Sequence, residues 1–222
     1  MVTWLHSQNC NLSDLITICQ TQTLKDEYPF CSEVVQNVLI YDAEKLELDK
    51  CSAETRRLIM SEFIKAFKSG PGIIVVRGMI DRETSERANQ CFLELLQAEK
   101  EAGKAVGDHF GSNSRLWNSL EKMAVHDPKL FIKYYSNEVI NTVSEAWLGP
   151  QFQMTAQVNL VHPGGQAQIV HRDFPLGHME VSNSERYPAH MHLVCPYLTL
   201  QGAVAHCDWS IESGPTMFLP HS

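Results

Sequence analysis

Between residues 52 and 147 the apolar positions recur at the three- and four-residue spacing of helices that bury one face. Ser52-Ala53-Glu54-Thr55 opens a run in which Leu58, Ile59, Phe63, Ile64 and Phe67 fall on one stripe, and Gly70-Pro71 ends it. The β-branched run Gly72-Ile73-Ile74-Val75-Val76-Arg77-Gly78, held between glycines, predicts a buried strand. A second long helix is predicted from Asp81 to about Ala102, with Asp81 or Thr84 as its cap, and a third from Pro128 to Trp147, stopped by Gly149-Pro150. From Phe152 the pattern changes to short strand-like runs: Phe152 to Leu160, Gln168 to His171, His192 to Leu193, Tyr197 to His206 and Thr216 to Leu219. Turn residues separate them, at Pro163-Gly164-Gly165, Pro175 to Gly177, Ser182-Asn183-Ser184 and Glu212-Ser213-Gly214-Pro215. Helices first and closely spaced strands afterwards predict an α+β chain whose second part is an antiparallel sandwich or barrel.

Composition narrows the function classes. The 222 residues suffice for one well-buried core, and no repeat or low-complexity linker divides them. We expect a single domain over 1–222, with 1–150 mainly helical and 151–222 carrying the strands. A formal net charge of −8 without a Lys/Arg cluster argues against nucleic-acid binding. No apolar stretch reaches membrane-span length, and the N-terminus lacks the basic start and apolar core of a secretory signal. Seven scattered cysteines without a CxxC pair suit free thiols in a reducing compartment. The expectation is a cytoplasmic protein acting on a small molecule, without nucleic-acid or membrane partners. The last three residues are not a peroxisomal tripeptide, and a peroxisomal location stays open beside the cytoplasmic one.

The chemistry-bearing stretch is Gln168-Ile169-Val170-His171-Arg172-Asp173, directly after the turn His162-Pro163-Gly164-Gly165. In a strand, residues two apart share a face. His171 and Asp173 could therefore converge on one ion as two corners of a 2-His-1-carboxylate site for non-haem Fe(II). A His-x-Asp triplet alone equally describes a solvated surface strand. There is no Gly-x-Ser-x-Gly elbow, phosphate-binding loop or Rossmann fingerprint. Cys207 and His206 are adjacent, so in a strand they would point to opposite faces, against a nucleophile–base pair.

Four segments together resemble the phytanoyl-CoA dioxygenase family of Fe(II)/2-oxoglutarate oxygenases, and are closest to its bacterial and fungal small-molecule members. They are Gly107-Asp108-His109-Phe110 with Asn113-Ser114-Arg115-Leu116-Trp117; Gln168 to Gly177; Leu198-Thr199-Leu200-Gln201-Gly202-Ala203; and Ser210 to Thr216 running on to Leu219-Pro220-His221-Ser222. The resemblance implies a double-stranded β-helix (jelly-roll) core with helices packed on it. It implies iron ligation by His171 and Asp173, and contact with 2-oxoglutarate by Gln168 and Ser210, the latter where many relatives carry threonine. Fe(II) would be the cofactor, with 2-oxoglutarate and O2 as co-substrates for oxidation of a small organic molecule, such as a secondary metabolite.

The family's second histidine ligand and the basic residue that pairs with the co-substrate carboxylate lie, in relatives, beyond the segment matching Gly214 to His221. Neither is found here, so the expectation is a C-terminally truncated homologue with an incomplete jelly roll. Open sheet edges would then favour a homo-oligomer that covers them. Two other readings stay open: an inactive homologue, and a cupin-like metal-binding protein of non-oxidative chemistry completed by a histidine within the chain. His221 and His206 are the substitutes considered, while His178, His190 and His192 read as loop or pocket residues. His109 reads as a pocket or packing residue, and Trp117 as core or substrate platform.

Overall fold

The computed structural model describes residues 2–104, 106–107, 113–171, 176 and 179–222. Helix α1 (Leu12–Gln20) precedes a hairpin of β1 (Glu33–Val35) and β2 (Val38–Asp42). Gln36 and Asn37 both take positive φ, 49° and 66°, the geometry a two-residue hairpin loop needs to match strand twist. After the short α2 (Ala43–Leu46), α3 (Ala53–Lys68) crosses over to β3 (Ile74–Arg77). That strand pairs parallel to β2, giving the order β1-β2-β3. β3 is thus an edge strand. Its alternate exposure, with Val75 outward, corrects the expectation of a fully buried one.

α3 begins where the sequence places it, because the Ser52 hydroxyl accepts the Thr55 amide. Likewise Asp81 caps α4 (Arg82–Glu101) by accepting the Thr84 amide and hydroxyl. The single helix expected over 128–147 is two. α6 (Pro128–Tyr135) ends at Ser136, and Asn137 starts α7 (Glu138–Leu148) by accepting the amides of Val139 and Ile140. A capping asparagine inside an apolar period breaks the helix while leaving the stripe unchanged. α5 (Ser119–His126) lies before α6.

Two apolar clusters result. One joins Tyr28, Leu39, Tyr41, Ile59, Phe63 and Val139, sealing α3 and α7 against the first sheet. The other joins Ala88, Phe92, Leu116, Met123, Leu130 and Tyr134, sealing α4, α5 and α6 against β5. That second sheet is antiparallel, with β4 (Val106–Gly107), β5 (Ser114–Leu116) and β6 (Val158–Leu160) in order. All seven cysteines are free thiols. Among the described residues no helix is long and apolar enough to cross a membrane.

Beyond β6 the expected strands are not found among the described residues. Residues 168–171, 198–206 and 216–219 have irregular backbone, and 152–157 are likewise outside any ladder. His192 and Leu193 lie in a helix, α9 (Ala189–Val194), which follows the short α8 (Val181–Ser184). An extended run becomes a strand only when a neighbouring backbone accepts its hydrogen bonds, and among the described residues after β6 the one such pairing is the isolated bridge of Pro188 with Trp4. The molecule is α+β, and its described strands form two three-stranded sheets.

Candidate functional site

The segment carrying His171 is launched from the second sheet. Asn113, buried just before β5, accepts the His162 amide at 3.1 Å through Oδ1. The Gly165 amide donates to the His162 carbonyl at 2.9 Å, closing the Pro163-Gly164 turn. A Cβ on Gly165 would fall 2.6 Å from Asn113 Oδ1, so only glycine fits. His162 Nε2 also meets the Ser114 hydroxyl at 2.7 Å. The turn is therefore fastened to β5 by backbone and side chain together.

From there the chain reaches His171 without regular structure, with Gln168, Ile169 and Val170 exposed. The half-buried His171 places Nδ1 2.6 Å from the Ile169 carbonyl oxygen. A carbonyl can only accept, so Nδ1 carries the proton, and in the neutral ring Nε2 carries the lone pair. That is the tautomer of a metal-ligating histidine oriented by a backbone carbonyl. Asp173, Arg172, His109 and His178 lie outside the described residues. Because 168–171 is not a strand, the shared-face argument for His171 and Asp173 has no support from the backbone leading to them.

Ser210 is exposed and precedes a 3-10 turn, Ile211–Ser213. The Glu212 carboxyl is held below its usual range by its own backbone amide and by the Ser210 hydroxyl, so that hydroxyl is engaged locally.

The histidines considered as substitutes have other work. His221 Nε2 lies 3.0 Å from the Thr23 hydroxyl, whose one proton already goes to the Asn37 carbonyl at 2.8 Å. His221 must therefore be the donor, with no Nε2 lone pair left for a metal. His206 Nε2 meets the Tyr134 hydroxyl at 2.8 Å inside the second apolar cluster, on helices and not on the sheet strand expected for it. His192 Nε2 donates to the Ser184 carbonyl at 3.0 Å. His190 is exposed on α9.

A further residue of interest, Arg115, has no role assigned by sequence pattern. Arg115 on β5 lies with its guanidinium 4.6 Å from the centre of the Trp117 ring, a cation–π contact. Its Nε is buried and has no hydrogen-bond partner. Its cross-strand neighbours are Val106 and Asn159, neither of them acidic. The sequence signal was a cation placed between Ser114 and Leu116 in a strongly patterned segment.

Among the described residues no three His, Cys, Asp or Glu side chains come together as a metal cluster. Of the expected pair, His171 is described and Asp173 is not, so no chemical step is derived through a metal. The family model for phytanoyl-CoA dioxygenase (PhyH) matches residues 69–222, which include β3, the second sheet and the His171 segment. The chain belongs to the phytanoyl-CoA dioxygenase family, whose members are typically Fe(II)- and 2-oxoglutarate-dependent oxygenases. No curated protein and no solved structure matches it.

Proposed function

We propose that the protein hydroxylates a small organic molecule in the cytoplasm, using Fe(II), 2-oxoglutarate and O2. The observation that carries this reading is the family match across 69–222, which spans the His171-x-Asp173 pair. In this reading His171 and Asp173 hold the iron, and Gln168 and Ser210 face the co-substrate, Ser210 after releasing Glu212. Arg115 takes the role of carboxylate anchor. A guanidinium with a buried, unpartnered Nε is costly, and a bidentate carboxylate would satisfy it. The jelly-roll core belongs to the same proposal. The unpaired runs 152–157 and 199–206 would join β6 in it, their open edges covered by another copy of the chain.

A second reading, a catalytically inactive family member, is favoured by the commitment of His206 and His221 to tyrosine and threonine hydroxyls. Anaerobic Fe(II) titration with 2-oxoglutarate separates the two. The oxygenase reading expects the visible charge-transfer band of chelated keto acid, absent in His171→Ala. It also expects Arg115→Gln to raise the half-saturating 2-oxoglutarate concentration by about tenfold or more, as loss of a charged hydrogen-bonded anchor would. No band in the wild-type chain supports the inactive reading.

A further inference from the structure

Residues 196–206 are tied to the helical half at two separated points, and the chain is fastened again at His221, whose amide donates to the Pro71 carbonyl at 3.0 Å. On α7, Trp147 Nε1 donates to the carbonyls of Pro196 and Thr199, both at 3.1 Å, and the indole stacks on Tyr197. The second point is His206. Its ring stands edge-on to Phe92 of α4 at 5.5 Å and lies nearly parallel to Tyr134 of α6, at 19° and 5.8 Å. Nε2 meets the Tyr134 hydroxyl, and the His206 carbonyl accepts from Asn89 of α4 at 3.2 Å. Between these two points, and as far as residue 209, the strap has no regular structure. Residues 199–209 lie in no helix or strand, and their amides donate to no described backbone group.

We infer that His206 is an acid-sensitive clamp: as a neutral ring it holds the strap 199–209 on α4 and α6, and on protonation it releases the strap together with Ser210 beyond it. An imidazolium must donate from both nitrogens, yet Nδ1 is buried with no partner. Among the described residues, burial is the one influence on the ring's proton affinity, with no charged partner beside it. α4 presents Asn89 and Phe92, and α6 presents Tyr134, whose phenol is itself pushed above its ordinary range by burial. On the strap, Cys207 and Asp208 are exposed. Burial alone depresses the His206 proton affinity below the ordinary 6.5. The sign follows by linkage. Above about 6.5 the ring is neutral whether docked or released, and the clamp holds fully. As pH falls below that value the released strap takes the proton first, so docking weakens by up to about tenfold per pH unit until the docked ring also titrates. This inference stands apart from the oxygenase reading, because it concerns only docking of the strap.

The test is an NMR titration of the full chain from pH 7.5 to 5. We expect cross-relaxation between the His206 ring and the Phe92 and Tyr134 rings at pH 7.5. It should be lost on acidification, with a His206 midpoint below 6.5, while the Tyr41–Phe63 contact of the first cluster persists. In His206→Phe the strap resonances should be independent of pH over the same range. A wild-type ring that titrates at or above 6.5, or that keeps both ring contacts to pH 5, overturns the inference. So does acid release of the strap in His206→Phe. If that variant fails to fold, the wild-type titration decides alone.

Discussion

Residues 24–148 and residues 152–222 are similarly supplied with large apolar side chains, yet the two regions treat them differently. In the first, Phe63, Leu39, Tyr41 and Ile59 are almost wholly buried, and Phe63 meets Tyr41 edge-on at 5.1 Å. In the second, Val170, Ile211 and Met217 stand in solvent, and Ala189 and Cys195 are the buried apolar residues among those described. A helix satisfies its own backbone, so a stripe of apolar residues suffices to dock it. A strand needs a foreign backbone before its apolar face is worth burying. The difference therefore reflects which region can complete its hydrogen bonds alone.

The sharpest way to break this comparison is to truncate one side chain in each region. Phe63→Ala should lose about 3–5 kcal/mol of stability, the range for a buried aromatic. Ile211→Ala should stay within about 0.5 kcal/mol, as exposed substitutions do. Urea unfolding of both variants measures the contrast, and equal losses would mean that Ile211 is covered in solution.

Next in size is the buried carboxylate of Glu62, which accepts the Tyr41 hydroxyl at 2.9 Å and the Phe30 amide at 3.1 Å. Glu62→Ala orphans both donors and should cost about 2–4 kcal/mol. Adding Tyr41→Phe should cost less than the two single losses added, because the hydroxyl left unpaired is then gone.

Gly165→Ala probes the junction between the two regions. Its Cβ would press on Asn113 Oδ1 and the His162 carbonyl, an overpacking cost of about 1–3 kcal/mol. Gly164→Ala meets open space but keeps a φ of 81°, so about 1 kcal/mol of backbone strain is expected. Thermal melts of the two variants rank them, and the reverse order would show that the Asn113 clamp is not rigid.

The smallest effect is a pH dependence confined to the helical region. The Thr84 hydroxyl and amide, with Lys133, lower the Asp81 carboxyl to about 2 from its usual 3.8. Its folded pKa lies below its unfolded one. The stabilisation is therefore present above 3.8 and lost as pH falls from there through about 2. Asp81→Asn, which still caps but does not titrate, should show a shallower acid-induced loss of stability in that window.

The sequence by itself determined the caps and stripes of the helical region: Ser52 and Asp81 with the apolar periods behind them. Each of those signals is answered within a few residues of its own position. It also made the family legible, because residue types in fixed order survive without coordinates. Tertiary structure alone decided the rest. It split 128–147 at Asn137, because a cap and an interior position look alike until the side chain chooses a backbone amide. It placed His206 in an aromatic nest and His221 on Thr23, contacts that join residues 72 and 198 positions apart. It also left Gln168 to His171 irregular, because among the described residues that run joins no ladder, and a strand exists only by pairing with another backbone.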